Sequence, residues 1–177
     1  MSKGQKFIVK MAVTALLVAV TAVLNRFGSI VTPELKIGFS FVPIMVCGMM
    51  FGPLWGGICA GLGDILAAIL IPVGPPHPGI TLTAVLSGVI YGLLGLAAAR
   101  VDSKAIFAGL AVLAVAGEKM LCTLLINSFW ISQLTGIPYG AQMAARLPQA
   151  VVLLLPELAL AVTAKLFIIP QVRKIMK

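Results

Sequence analysis

The sequence predicts an all-α integral membrane protein, a compact bundle of six transmembrane helices with both termini in the cytoplasm. Three observations carry that expectation. Of the 177 residues, 60% are hydrophobic and only 10% charged, whereas soluble domains carry about 25% charged residues. The apolar residues gather into runs of helix length, and at roughly 20 residues per spanning helix the chain has room for about six. The breaks between runs are rich in glycine and proline and too short to hold a soluble domain. Residues 1–177 therefore read as a single membrane domain.

The first span runs from Phe7 to Leu24. It is a span rather than a signal peptide, because no clean small-residue cleavage site follows it and similar segments begin at once. Asn25 to Gly38 is a polar connection holding Arg26, Glu34 and Lys36. The second span, Phe39 to Met50, breaks at Phe51-Gly52-Pro53, and the third, Trp55 to Ile71, breaks in the Pro/Gly segment Pro72 to Gly79. The fourth span is Ile80 to Ala99, followed by a charged loop with Arg100, Asp102 and Lys104. The fifth, Ala105 to about Leu134, is long enough to tilt. Thr135 to Gly140 turns the chain into the sixth, Ala141 to about Pro170, where Pro148 and Pro156 are expected to bend the helix.

An even number of spans puts both termini on one side. Lys3, Lys6, Lys10, Arg100, Lys104, Arg173, Lys174 and Lys177 fall there, with Lys165 close by, against Arg26, Lys36 and Arg146 opposite. That bias makes the terminal side cytoplasmic. It also accounts for the formal charge of +8 without nucleic acid, since no basic patch is interleaved with aromatics. Cys47, Cys59 and Cys122 lie in apolar runs without metal-type spacing and read as buried small hydrophobes. No metal ligand set or cofactor motif is present in the sequence.

Polar side chains inside a membrane are costly, and their default reading is functional. At helical spacing, Lys119, Thr123, Asn127 and Trp130 share a face of the fifth span, and Gln142, Arg146, Gln149 and Glu157 share a face of the sixth. Turned together, the two faces line a polar cavity opening outward; the bland alternative is interhelical hydrogen bonding. Arg and Trp at the outer ends suit an anionic aromatic ligand. Lys119 needs a partner, and Glu157 lies at matching depth, whereas Glu118, its sequence neighbour, is not expected to face it. Asp64, near the middle of the third span, reads as an acceptor for a ligand's N–H groups, as a carboxylate satisfying backbone donors, or as an ion-pair partner of Lys119. Arg26 either meets a carboxylate or snorkels to the headgroups, and His77 sits in a loop over the outer face. Ala15 and Ala19 form a small-xxx-small face open to a second helix, internal or from another protein. Phosphate-binding loops and a nucleophile–base set are missing. The expectation is a binding protein, not an enzyme, that draws energy from elsewhere.

The stretch Thr32-Pro-Glu-Leu-Lys-Ile-Gly-Phe-Ser-Phe-Val-Pro43 resembles the folate-family substrate-binding (S) components of energy-coupling factor (ECF) transporters. The likeness continues through Phe51-Gly-Pro-Leu-Trp-Gly56, Gly63-Asp64, Thr81-Leu-Thr83, Gly88-Val-Ile-Tyr-Gly92, Asn127-Ser-Phe-Trp-Ile-Ser132 and Arg146-Leu-Pro-Gln149. The resemblance implies a six-helix S component in a prokaryotic plasma membrane. It implies capture of folate or a reduced folate from outside, and docking through Ala15 and Ala19 on a transmembrane coupling protein joined to two ATPase subunits. On this reading Asp64 or Asn127 meets the pterin edge, Trp130 or Phe39 stacks on its rings, and Arg26, Lys36 or Arg146 binds the glutamate tail, with His77 and Gln149 alongside. Two alternatives stand beside it: an S component for thiamine, riboflavin or a pyridoxine-like vitamin, and a membrane assembly protein without a small-molecule ligand.

Overall fold

Ser2 opens the first helix through a reciprocal cap: its hydroxyl accepts from the Gln5 N–H at 3.2 Å, and its own N–H donates to Gln5 Oε1 at 2.9 Å. The computed structural model describes residues 2–31, 36–70, 72, 77–101 and 103–170, without the side chains of 30, 31, 36 and 37. Within them lie six helices: α1 (Lys3–Arg26), α2 (Phe41–Phe51), α3 (Pro53–Leu70), α4 (Pro78–Arg100), α5 (Lys104–Thr135) and α6 (Tyr139–Ile168). All but α2 are long and apolar enough to cross a membrane. The six-helix bundle is therefore as expected, with bounds close to those read from the apolar runs. The basic residues Arg173, Lys174 and Lys177 lie outside the described residues.

Two local features depart from the simple pattern. The outer connection after α1 holds a short antiparallel ladder, β1 (Ser29–Val31) on β2 (Lys36–Gly38), in register Ser29–Gly38, Ile30–Ile37 and Val31–Lys36. The second helix has 11 residues, a rise of about 16 Å, half of a hydrocarbon core of ~30 Å. It ends at Gly52, whose φ of +96° is strained for any residue with a Cβ. Pro53 then starts α3 at the position where its missing N–H costs nothing. One residue thus reverses the chain. The turn packs on Gly92, eight residues, or about 12 Å of helix rise, before Arg100 at the end of α4.

Lipid offers no hydrophobic drive for helices to meet, so close backbone contact must hold them. A seam of small residues supplies it between α2, α3 and α4. A Cβ added at Gly56 would overlap Gly88 O, one at Gly88 would overlap Gly56 O, and one at Gly95 would overlap Met49 Cα. Alongside the seam, Met45, Met49, Tyr91, Leu94, Phe107, Val115 and Ala161 form the main apolar core. A second cluster joins α1 to α2 and α3 through Val18, Cys47 and Cys59. Both thiols are free and fully buried, with Thr14 Oγ1 3.7 Å from Cys47 Sγ and Thr21 Oγ1 3.8 Å from Cys59 Sγ. They pack as small apolar groups, as the sequence indicates.

The close seam predicts a matched pair of alanine effects in detergent thermal unfolding. Gly88→Ala is expected to lower stability by about 1–3 kcal/mol through overpacking. Gly109→Ala, where nothing lies within 4 Å, is expected to be neutral or stabilising by up to about 1 kcal/mol. Equal melting temperatures for the two variants would contradict the seam.

Candidate functional site

Two long helices joined by a tight turn carry most of the buried polarity. At the turn, Gln142 Nε2 donates to Thr135 Oγ1 at 3.3 Å and the Tyr139 hydroxyl to Leu125 O at 3.4 Å, so the outer halves of α5 and α6 lie side by side. Asn127 Oδ1, Ser128 Oγ and Trp130 Nε1 on α5, and Gln142 Oε1, Arg146 Nε and Gln149 Oε1 on α6, are buried without a hydrogen-bond partner. Each such group costs about 1–3 kcal/mol when left unmade, and folded proteins carry few of them. All six lie on two adjoining helical segments, the outer halves of α5 and α6, whose polar face they make up. Arg146 is 6% exposed and has no carboxylate partner among the described residues. A buried guanidinium without a counter-charge is a receptor for an anion.

The start of α4 closes this face. His77 caps that helix, its Nδ1 accepting from the Gly79 N–H at 3.1 Å, which places the ring proton on Nε2. Its ring lies 5.1 Å from that of Trp130, tilted by 40°. Phe129 meets the same indole edge-on at 5.0 Å. Trp130 rests directly on Gly79, where a Cβ would overlap Cδ2 and Cε2 of the indole. His77 is therefore a helix cap and an indole neighbour, not simply an exposed loop residue.

The other candidates stand elsewhere. Asp64 on α3 accepts from Thr81 Oγ1 at 2.8 Å and is not paired with Lys119. The Arg26 guanidinium donates from Nε to Ala67 O at 2.9 Å, on the flank where α1 meets α3; no contact brings it to α5 or α6. Phe39 is 53% exposed at the exit of the hairpin, with Phe41 6.2 Å away between ring centres. The backbone of Lys36 pairs with Val31, and its side chain lies outside the described residues. Ala15 and Ala19 are exposed on α1 among the bare apolar side chains of Phe7, Ile8, Met11, Leu16 and Val23.

The expected stripe from Lys119 to Trp130 is interrupted. From Lys119 to Ile126 the helix widens to π geometry, with i→i+5 bonding and more residues per turn. Lys119 therefore leaves the Asn127–Trp130 face and turns inward, bridging Glu118 Oε2 at 3.0 Å and Glu157 Oε1 at 2.5 Å. The pairing with Glu157 is as expected. The contact with Glu118 overturns the expectation that neighbours on a helix cannot meet, because the α-to-π change falls between them. The Ser87 hydroxyl donates to Glu118 Oε1 and the Tyr91 hydroxyl to Glu157 Oε2, both at 2.8 Å. Ser87, Tyr91, Ser128 and Gly79 escaped the candidate set read from sequence. Ser128 adjoins Asn127 and was within reach of that reading, whereas the bare α-carbon of Gly79 matters only because Trp130 lands on it.

Gly79→Ala is expected to displace Trp130. In a Trp55→Phe background, where Trp130 is the remaining indole, the emission maximum should shift and stability should fall by about 1–3 kcal/mol. An unchanged spectrum would contradict the contact.

With this geometry in place, comparison with known proteins is informative. Residues 9–171 match the family model described as the ECF transporter, substrate-specific component. The folate transporter FolT of Clostridium novyi is 38% identical over 122 residues, covering 69% of this chain and 67% of its own. FolT of Leuconostoc mesenteroides is 35% identical over 79 residues, covering 45% of this chain and 42% of its own. A crystal structure of FolT bound with folic acid aligns with a TM-score of 0.71 at 28% identity, over 91% of this chain and 92% of that one. The S component for biotin from an ECF-type ABC transporter aligns with a TM-score of 0.67 at 19% identity, over 98% and 95%, which speaks for the shared fold alone.

Proposed function

The chain belongs to the substrate-specific components of ECF transporters, and we propose that it captures folate, or a reduced folate, at the outer face of the membrane. As a member of that family it is a substrate-binding transport component of the prokaryotic plasma membrane and not an enzyme. The observation that carries the folate reading is the set of unpartnered polar atoms on α5 and α6, among them Nε of Arg146, which has no carboxylate partner among the described residues. Folate matches that face in kind. Its pterin offers N–H donors to Asn127 Oδ1 and Gln149 Oε1, and either an acceptor to Trp130 Nε1 or a flat ring for the indole to stack on. Its glutamate tail carries two carboxylates for Arg146. Thiamine is a cation and would meet the buried guanidinium with like charge, so it fits this face poorly.

The remaining parts follow the family's architecture. The start of α4, through His77 and Gly79, packs on Trp130 at one edge of the polar face. Ala15 and Ala19, on an exposed apolar face of α1, offer close approach to a helix of a transmembrane coupling protein. Two ATPase subunits attached to that protein would supply the energy, since this chain has no phosphate-binding loop.

Calorimetry and tryptophan quenching on the purified protein test this reading. The wild type should bind folate at submicromolar concentration and should not exchange it for thiamine. Arg146→Gln should weaken folate by about 1.5–3 kcal/mol, the size of a lost hydrogen bond to a charged group, and leave a tail-less pterin nearly unaffected. Equal losses for both ligands would reject the assignment of Arg146 to the tail.

A further inference from the structure

The residues that line the polar face make no hydrogen bonds with one another, so their spacing must be set from outside the face. At the outer end the short turn sets it, through Gln142 and Thr135. At the inner end stands the buried cluster of Glu118, Lys119 and Glu157 with the hydroxyls of Ser87 and Tyr91. This cluster joins each pair of the three helices that form the site. Ser87 ties α4 to α5 through Glu118, Tyr91 ties α4 to α6 through Glu157, and Lys119 ties α5 to α6 through Glu157. Two of the four carboxylate oxygens accept hydrogen bonds from hydroxyls, and the other two, Glu118 Oε2 and Glu157 Oε1, have no hydrogen-bond partner but lie in ion-pair contact with the ammonium.

The cluster also stands at one depth beneath the site. Eight residues separate Ser87 from Gly79, Lys119 from Asn127 and Glu157 from Gln149; on α4 and α6 that is about 12 Å of α-helical rise, and on α5, where the segment is π-helical, it is less. On α5 those eight residues include the π segment, which turns Lys119 into the cluster while Asn127 still reaches the ligand face. Resting on the folate-capture reading above, we propose that Lys119, Glu118 and Glu157 with Ser87 and Tyr91 are positioning residues. The triangle they close fixes how far Asn127 and Trp130 stand from Arg146 and Gln149, and so sets affinity without touching ligand. Binding groups held loosely by their supporting contacts lose affinity even when every one of them is present.

The test is a folate titration by tryptophan quenching, at a temperature where each variant is shown by its melting curve to be folded. Tyr91→Phe and Ser87→Ala each remove one edge of the triangle and keep all three charges. Each is expected to weaken folate about tenfold, the effect of one lost buried hydrogen bond. Lys119→Met leaves two carboxylates without their cation and should lose more. Melting temperatures that fall in Tyr91→Phe and Ser87→Ala while folate affinity stays at the wild-type value would overturn the proposal. If the wild type itself binds no folate, the capture reading fails and the tie is read separately by hydrogen exchange of the ligand-free protein. Tyr91→Phe should then speed exchange at residues 127–130 and 146–149, and unchanged rates there would overturn the tie.

Discussion

Inside a bilayer there is no water to complete a polar group's hydrogen bonds, so every buried donor, acceptor and charge must find its partner in protein or in cargo. This chain meets that constraint in two opposite ways on the same helices. The inner cluster is closed: two carboxylates, one ammonium and two hydroxyls satisfy one another across α4, α5 and α6. The outer face is open: Asn127 Oδ1, Ser128 Oγ, Trp130 Nε1, Gln142 Oε1, Arg146 Nε and Gln149 Oε1 meet no hydrogen-bond partner among the described residues. A closed cluster holds helices together; an open one, on the reading proposed above, is kept for what it binds.

The rest of the fold supports that division. The glycine seam brings α2, α3 and α4 to backbone contact, giving a firm slab whose fourth helix carries His77 and Gly79 at its outer end. Against the slab stand α5 and α6, each containing a stretch of π geometry and α6 two internal prolines. Proline removes a hydrogen bond to the carbonyl four residues before it, and π turns loosen the regular ladder. The unpartnered polar groups of the outer face thus sit on the less regular half, which packs against the glycine-seamed one.

Much of this is legible in the sequence, and the reasons are physical. Apolar runs punctuated by Gly and Pro place all six helices, because a membrane helix must satisfy its own backbone and can be broken only where those residues allow. The face of α6 is legible too, since Gln142, Arg146, Gln149 and Glu157 keep ordinary helical spacing. The face of α5 is not: the widening between Lys119 and Ile126 leaves no trace in hydrophobic period, and it separates Lys119 from Asn127 and brings Glu118 to Lys119. Arg26 shows a second limit. An interfacial arginine looks alike whether it meets a ligand or a neighbouring carbonyl, and only the approach of α1 to α3 shows that its Nε meets Ala67 O. The short second span, Phe39 to Met50, is legible from the break at Phe51-Gly52-Pro53, close to the observed Phe41–Phe51, whereas the hairpin before it is not, since its pairing follows from how the chain folds back and not from local composition.

Mass spectrometry of the small molecules that stay with the protein through detergent extraction tests the central claim most directly. If the open polar face on α5 and α6 exists to take an anionic, ring-bearing cargo, cells supplied with folate should yield protein carrying one pterin–glutamate compound per chain, and added folate should refill the emptied protein. Protein that carries no such compound and does not take up added folate would contradict the account.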